Sequence, residues 1–482
     1  MLKHALFLFS FISISLLSNA QTAVQLPLLC NWNDTSIKAN LSYSQKYNDV
    51  WGFEWKGVQY AAIGSTEGVH IIDIQQCKQV AFKRGTDYGN YIIHRDYKTF
   101  KNYLYAVCDE GYSALQIFDY SYLPDSIHMV YESSPAELMR THNIFIDTVT
   151  EKLYCGIFTN ASGVYGLGIF DLKNPTLPNF LKTYTNPFSL SSNYAVHDMY
   201  VRNDTAFLSE SFFGYSIVDF KNTIPVELGI LNQYPQKGYN HSSWINKNGI
   251  GVMADETHGS PLKVIDVRNV TQPSVLSTFI SRSDSTCIPH NPYVIDDLVF
   301  ISYYFDGFQL YSIRDPNQAK QIAYYPTCSV SPFKGFAGAW GCYPFFKNGK
   351  ILVSDMQNGL FVLDAKAFTK ELYTQALSIK IAPNPFQQSF QIISNQSLSN
   401  AQINIFTTTG SCIYSTVIRK EELNNSFVVT LPSSLPSELY FIEVKQGKTL
   451  FCEKIIIANQ KLLCMWSPYG LARQMGQGLG RG

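Results

Sequence analysis

One unit, recurring at nearly constant spacing, restricts this chain more than any other feature. It is a strand, a tight turn and a second apolar strand closed by an acid, as in ILVSDMQNGLFVLD at 351–364. The closing position falls on Asp73, Asp119, Asp171, Asp219, Asp266, Ser312 and Asp364, at intervals of 46, 52, 48, 47, 46 and 52 residues. A period of about fifty residues with strand–turn–strand content marks propeller blades. The turns carry Gly68, Gly111, Gly214, Gly259, Gly307 and Gly359, with Gly163 or Gly166 in the longer third repeat. Two-residue hairpin turns need positive φ, which glycine adopts without steric cost. The closing acids stand where a carboxylate accepts from turn amides, so their expected role is structural.

Residues 24–34, VQLPLLCNWND, resemble the outer strand of an interior repeat, VELGILNQY at 226–234. A strand of that type ahead of the first full repeat predicts that the N-terminus completes the last blade. Joining the ends pairs sheet edges that would otherwise invite aggregation. The expected fold is all-β: seven blades across 24–371, with six blades and a stray hairpin as the alternative. Aromatics at 14% against 15% charged residues favour half-buried pleated surface. Lys plus Arg and Asp plus Glu each number 37, so no global field draws in nucleic acid.

A second recurrence lies upstream of each hairpin. HRDY, HNIF, HDMY, HSSW and HNPY place His94, His142, His197, His241 and His290 three residues before an aromatic. In the first and seventh repeats the corresponding place is taken as Gly52 (GFEW) and Cys342 (CYPF). The innermost strand of a blade lines the central channel, so five imidazoles are expected around one mouth. The aromatics have opposite parity and are expected between blades. The second strand returns to the same face, carrying Asp109, Glu110, Glu210, Asp255, Glu256, Asp306 and Asp355. Imidazoles with carboxylates can hold a divalent metal at the propeller axis or a polar ligand. Alternatively, each His donates to a backbone carbonyl and fastens blade to blade.

The first twenty residues have the parts of a secretory signal. Lys3 and His4 precede the apolar run Ala5–Leu17, and Ser18-Asn19-Ala20 offers small residues for cleavage. An uncleaved anchor is the rival reading, although the run is short for a bilayer. Export permits disulfides. Ten cysteines without CxxC or Cys/His spacing argue against structural zinc. Cys328 and Cys342 flank one long loop and are the expected pair.

The runs HNPYVIDDLVFISYYFDGFQLYSIRDP and GFAGAWGCYPFFKNGKILVSDMQNGLFVLD, with YNDVWGFEWKGVQYAAIGSTEGVHIIDI, resemble LVIVD-repeat propellers of the choice-of-anchor B family. That resemblance implies an exported repeat domain with an interchangeable C-terminal anchor, and no particular chemistry.

After Glu371 the pattern changes. IAPNPF opens a series of short alternating strands, SFQIIS, AQINIFTTTG, SCIYSTV, SFVVTLP, ELYFIEV and FCEKIII, typical of a small Ig-like β-sandwich over 378–458. PNPF (Pro383, Asn384, Pro385), the turn at Gly410 and the final strand with Lys454 resemble the type A sorting domain of the Bacteroidota type IX secretion system. The resemblance implies passage through that machinery, removal of the domain, and release of the propeller or its covalent attachment to surface lipopolysaccharide. An ordinary adhesion sandwich is the alternative. Residues 459–482, rich in Gly and Arg, read as a disordered tail.

No HExxH, GxSxG, GxxxxGK[ST] or dinucleotide fingerprint occurs. The densest titratable group is Asp255, Glu256 and His258, which could serve a hydrolase or lyase. Two functions stay open: a surface binding module for a protein, glycan or metal ligand, and an outer-surface hydrolase or lyase using the same face.

Overall fold

The computed structural model describes residues 23–187, 195–282, 284–373, 379–394, 398, 400–418, 426–432, 435–446 and 449–458. The proposed signal segment and the 459–482 tail lie outside them. Two compact units divide between Lys370 and Glu371.

The first unit contains seven antiparallel sheets built from the repeats. Their inner strands are Tyr47–Trp55, Arg95–Phe100, Asn143–Asp147, Asp198–Arg202, Asn240–Ile245, Asn291–Ile295 and Ala339–Tyr343. Each inner strand packs against the next, and the seventh returns to the first. The N-terminal strand Leu28–Trp32 pairs antiparallel with Gly359–Asp364 and supplies the outer strand of the seventh blade. Just before it, Val24–Gln25 runs parallel to the outer strand of the sixth. The seam therefore exposes no unpaired strand of blade seven.

The periodic acids behave as turn caps. Asp73 accepts from the amides of Gln75 and Gln76, and Asp119, Asp171, Asp219, Asp266 and Asp364 each accept from the amide two residues on. Ser312 does the same for Arg314 at 3.3 Å. Gly359 has φ +83°, and a Cβ there would lie 2.3 Å from the carbonyl oxygen of Trp32 on the N-terminal strand. That glycine serves both the turn and the seam. In the third repeat the turn glycine is Gly163, paired with Asn160.

Apolar side chains from facing sheets fill the gaps between blades. Ile63, Ile72, Leu352, Leu360 and Val362, all fully buried, form one cluster across the seam between the last and first blades. Burying one such side chain contributes about 1.5–3 kcal/mol.

The expected Cys328–Cys342 bridge does not form. Cys342 is buried in the inner strand of blade seven and Cys328 lies in the preceding loop, both as free thiols. The disulfide joins Cys30 to Cys77 instead, with a Cα–Cα distance of 5.7 Å. Flanking one loop in sequence did not bring the first pair together. Closing the ring placed the N-terminal strand beside the end of the first blade's third strand.

The second unit is a two-sheet sandwich. A three-stranded sheet (Ile379–Ala382, Ser389–Ser394, Ser426–Thr430) opposes a four-stranded one ordered Cys412–Val417, Gln402–Thr407, Leu439–Gln446, Thr449–Ile456. Phe390, Ile392, Ile403, Ile405, Tyr440, Ile442, Val444 and Ile455 form its core. Gly410 turns with φ +86°. Asn384 donates through Nδ2 to the carbonyl of Lys454 at 2.8 Å and accepts at Oδ1 from the amide of Ile456 at 2.9 Å. The asparagine between Pro383 and Pro385 thus ties the entry segment to the last strand.

Candidate functional site: the histidine mouth of the channel

The five histidines stand at the start of their inner strands and meet. Ring centroids lie 4.7 Å apart for His94–His142, 4.2 Å for His142–His197, 4.1 Å for His197–His241 and 4.4 Å for His241–His290. Trp340 completes the circle, 4.9 Å from His290 and 5.4 Å from His94.

The seventh-repeat position is therefore Trp340, two residues before the expected Cys342. In the first repeat Gly52 packs against Tyr343 and Phe346, while Asn48 donates to the backbone carbonyl beside His94, that of Ile93, at 3.1 Å. Trp51 and Tyr343, three residues beyond Asn48 and Trp340, hold the aromatic places and touch at 5.0 Å. The sequence phasing slipped because both strands are irregular, between Tyr47 and Val50 and between Ala339 and Gly341. Neighbouring aromatics also supplied a false match to the His-x-x-aromatic frame.

The acids divide sharply. Asp109 and Glu110 reach His94, whose Nδ1 is 3.2 Å from Asp109 Oδ1 and 2.7 Å from Glu110 Oε1. Asp109 Oδ2 also lies 2.5 Å from His142 Nδ1. Glu256 stands 3.8 Å from Nε2 of both His241 and His290 and accepts from the Tyr304 hydroxyl at 2.5 Å. Glu210, Asp255, Asp306 and Asp355 have other partners. Glu210 binds Ser216 and Asn186; Asp255 binds buried Lys263 at 2.8 Å; Asp306 binds Arg282; Asp355 caps the amides of Gln357 and Asn358.

The imidazoles consequently differ in charge. Burial opposes the charge on His94, but Asp109 and Glu110 together lift its pKa to about 10. Burial would raise Asp109, yet His94 and His142 hold it well below the usual carboxylate range. On the opposite side burial pushes His290 down to about 3, and burial with the neighbouring imidazoles drives His197 and His241 well down. His197 Nδ1 faces the carbonyl of His241 at 3.2 Å, and His290 Nδ1 that of Trp340. Those two contacts fit the fastening role. The Asp109 side does not.

Below the ring the channel holds charges that sequence reading missed: Asp49, Asp96, Lys98 and Asp198 line the same cavity, about 50 Å³ in volume. Lys98 Nζ is 2.7 Å from Asp96 Oδ1, whose other oxygen accepts from the Ile144 amide at 2.7 Å. Burial lifts Asp198 to about 7 against the pull of Lys98. Asp96 and Lys98 stand two and four residues after His94 on one strand, so alternation alone places them on the His94 face. Deeper still, Phe145–Tyr200, Tyr200–Trp244 and Trp244–Tyr293 touch blade to blade at 5.6, 4.8 and 4.8 Å. Phe345 packs against Trp244, Tyr293, Tyr343 and Trp51.

Fold and site define an all-β protein: a propeller with a polar, imidazole-ringed mouth, followed by a β-sandwich. Residues 380–458 match the family described as "Secretion system C-terminal sorting domain". The chain is thus sorted by type IX secretion, to the cell surface or beyond it. No curated protein matches the chain. Among solved structures the chain is similar to PorZ, "an essential bacterial surface component of the type-IX secretion system" of Porphyromonas gingivalis, at 12% identity and a TM-score of 0.44. The alignment covers 89% of this chain and 61% of that one.

Proposed function

We propose that this chain is an exported binding module whose propeller takes a protein, glycan or metal-containing ligand at the histidine mouth. The observation that carries this reading is the closed circle of five imidazoles and Trp340, with Asp109, Glu110 and Glu256 beside it on one face. A purely structural ring would bond every imidazole to a neighbouring backbone. Here that is recorded for His197 and His290, whereas His94 and His142 face carboxylates and His241 Nδ1 has no partner among the described residues.

The repeat resembles choice-of-anchor B propellers. In this reading the sorting domain is removed after export, leaving the propeller free or attached to surface lipopolysaccharide. The test is a glycan and peptide binding screen of the wild type against a His197→Ala/His241→Ala double variant. Loss of binding with an intact fold supports the module; a lowered Tm with unchanged binding assigns the ring to fastening.

A further inference from the structure

The mouth contains two clusters of metal-ligating groups, His94–Asp109–His142 and His241–Glu256–His290, and their geometries differ in kind. In the first, donors and acceptors are already matched: both imidazole Nδ1 atoms make direct contacts with carboxylate oxygens at 2.5–3.2 Å. A metal there would have to break them.

The second is arranged otherwise. His290 Nδ1 bonds the Trp340 carbonyl, an acceptor only, so its proton is on Nδ1 and its Nε2 carries a lone pair. That lone pair is 3.8 Å from Glu256 Oε1, beyond hydrogen-bond range. His241 Nε2 stands at the same distance from Glu256 Oε2. His241 is 5% exposed, and its Nδ1 has no partner among the described residues. Ligand atoms about 2.1 Å from a tetrahedral ion are about 3.4 Å apart, and the three groups lie within 4.8 Å of one another, so side-chain shifts of up to about 1.4 Å would seat one. The supporting contacts suit that use. A ligating imidazole commonly bonds a carbonyl through its other nitrogen, as His290 does, and the Tyr304 hydroxyl orients Glu256.

We propose that His241, Glu256 and His290 form a site for a first-row divalent cation, zinc foremost, bound through two imidazole nitrogens and one carboxylate. Two imidazoles and a carboxylate suit zinc and its neighbours; a hard ion such as Ca²⁺ asks for six or more oxygens. Three protein ligands would leave a fourth coordination position for an oxygen or nitrogen from a bound partner. This step rests on the reading of the mouth as the binding surface.

The test uses the full chain, stripped with chelator and titrated by calorimetry with ZnCl₂, CoCl₂ and CaCl₂. The expected result is one zinc per chain, a visible Co²⁺ ligand-field band and no calcium uptake. Glu256→Gln should weaken zinc about tenfold or more. Should Glu256→Gln fail to fold, Tyr304→Phe is the second variant, expected to weaken zinc several-fold by releasing the carboxylate. Absence of zinc uptake by the wild type overturns the site. So does uptake that survives Glu256→Gln and disappears in Asp109→Asn. Running the glycan and peptide screen with and without zinc separates the two readings. Partner binding without zinc uptake sinks the metal and keeps the module; zinc uptake with no partner does the reverse.

Discussion

Asp109 Oδ2 lies 2.5 Å from His142 Nδ1, across the boundary between the second and third blades. Its other oxygen is 3.2 Å from His94 Nδ1, so one carboxylate serves two imidazoles. The ring is therefore two half-sites: a charged, hydrogen-bonded half around Asp109, and a half beside Glu256 whose imidazoles burial keeps neutral.

Asp109→Asn tests the charged half. His94 has a raised pKa, so its contribution to stability is full below about pH 6.5 and is lost as pH climbs through about 10. Asp109 is depressed, so its contribution is present above about pH 4 and is lost on acidification. The variant should lose about 1.5–3 kcal/mol between pH 5 and 6.5, typical of a hydrogen bond to a charged group. The deficit should narrow toward pH 10. Thermal unfolding of both proteins across that range is the measurement, and equal Tm values at pH 6 would refute the assignment.

The Cys30–Cys77 bridge closes a sequence separation of 47 residues and locks the N-terminal strand to the first blade. Loop-closure entropy for a segment of that size gives about 4 kcal/mol. Cys30→Ala should lower Tm and expose Val24–Trp32 to protease before the rest of the propeller. Peptide mapping without reductant should find Cys30 linked to Cys77 and both Cys328 and Cys342 open to alkylation after unfolding. A Cys328–Cys342 peptide would contradict the structure.

The architecture was legible because the blade repeat is written in turn chemistry. Asp closes the third strand to cap a turn, and glycine supplies positive φ, so both can be counted along the chain. The histidine circle was legible for the same reason, since one position of a repeated strand becomes one position around an axis. Reading failed where the repeat was broken. Trp340 is no histidine, and the bulge beside it shifted the frame by two residues. Glu210 and Asp255 occupy the same place in their repeats as Asp109, yet each is consumed by local partners, Ser216 and Lys263. Whether an acid reaches the axis depends on those neighbours, and a period alone does not encode them.

Asn384 makes two backbone bonds that tie the entry of the sandwich to its last strand. Asn384→Ala removes both and should cost about 1–2 kcal/mol of sandwich stability. Because the matched sorting region ends on that strand, the variant should also accumulate inside the cell. Fractionation of cells expressing either form checks this; normal surface yield with a lowered sandwich Tm would separate folding from sorting.

Glu210 links structure to pH most directly. Burial pushes its carboxyl to about 7, although Ser216 and Asn186 pull the other way. The folded state therefore holds a proton that the unfolded chain gives up near pH 4.5. The stability that this proton supplies is complete at low pH and drains away as pH rises through about 7. Glu210→Gln keeps the neutral form at every pH, so it should flatten the fall in Tm between pH 5 and pH 8. At pH 8 the variant should match or exceed the wild type, whereas at pH 5 its Tm should be no higher. Tm measured at both values decides it. A variant with the full wild-type decline would move the titration to another buried carboxyl, with Asp198, also raised to about 7, the next to substitute.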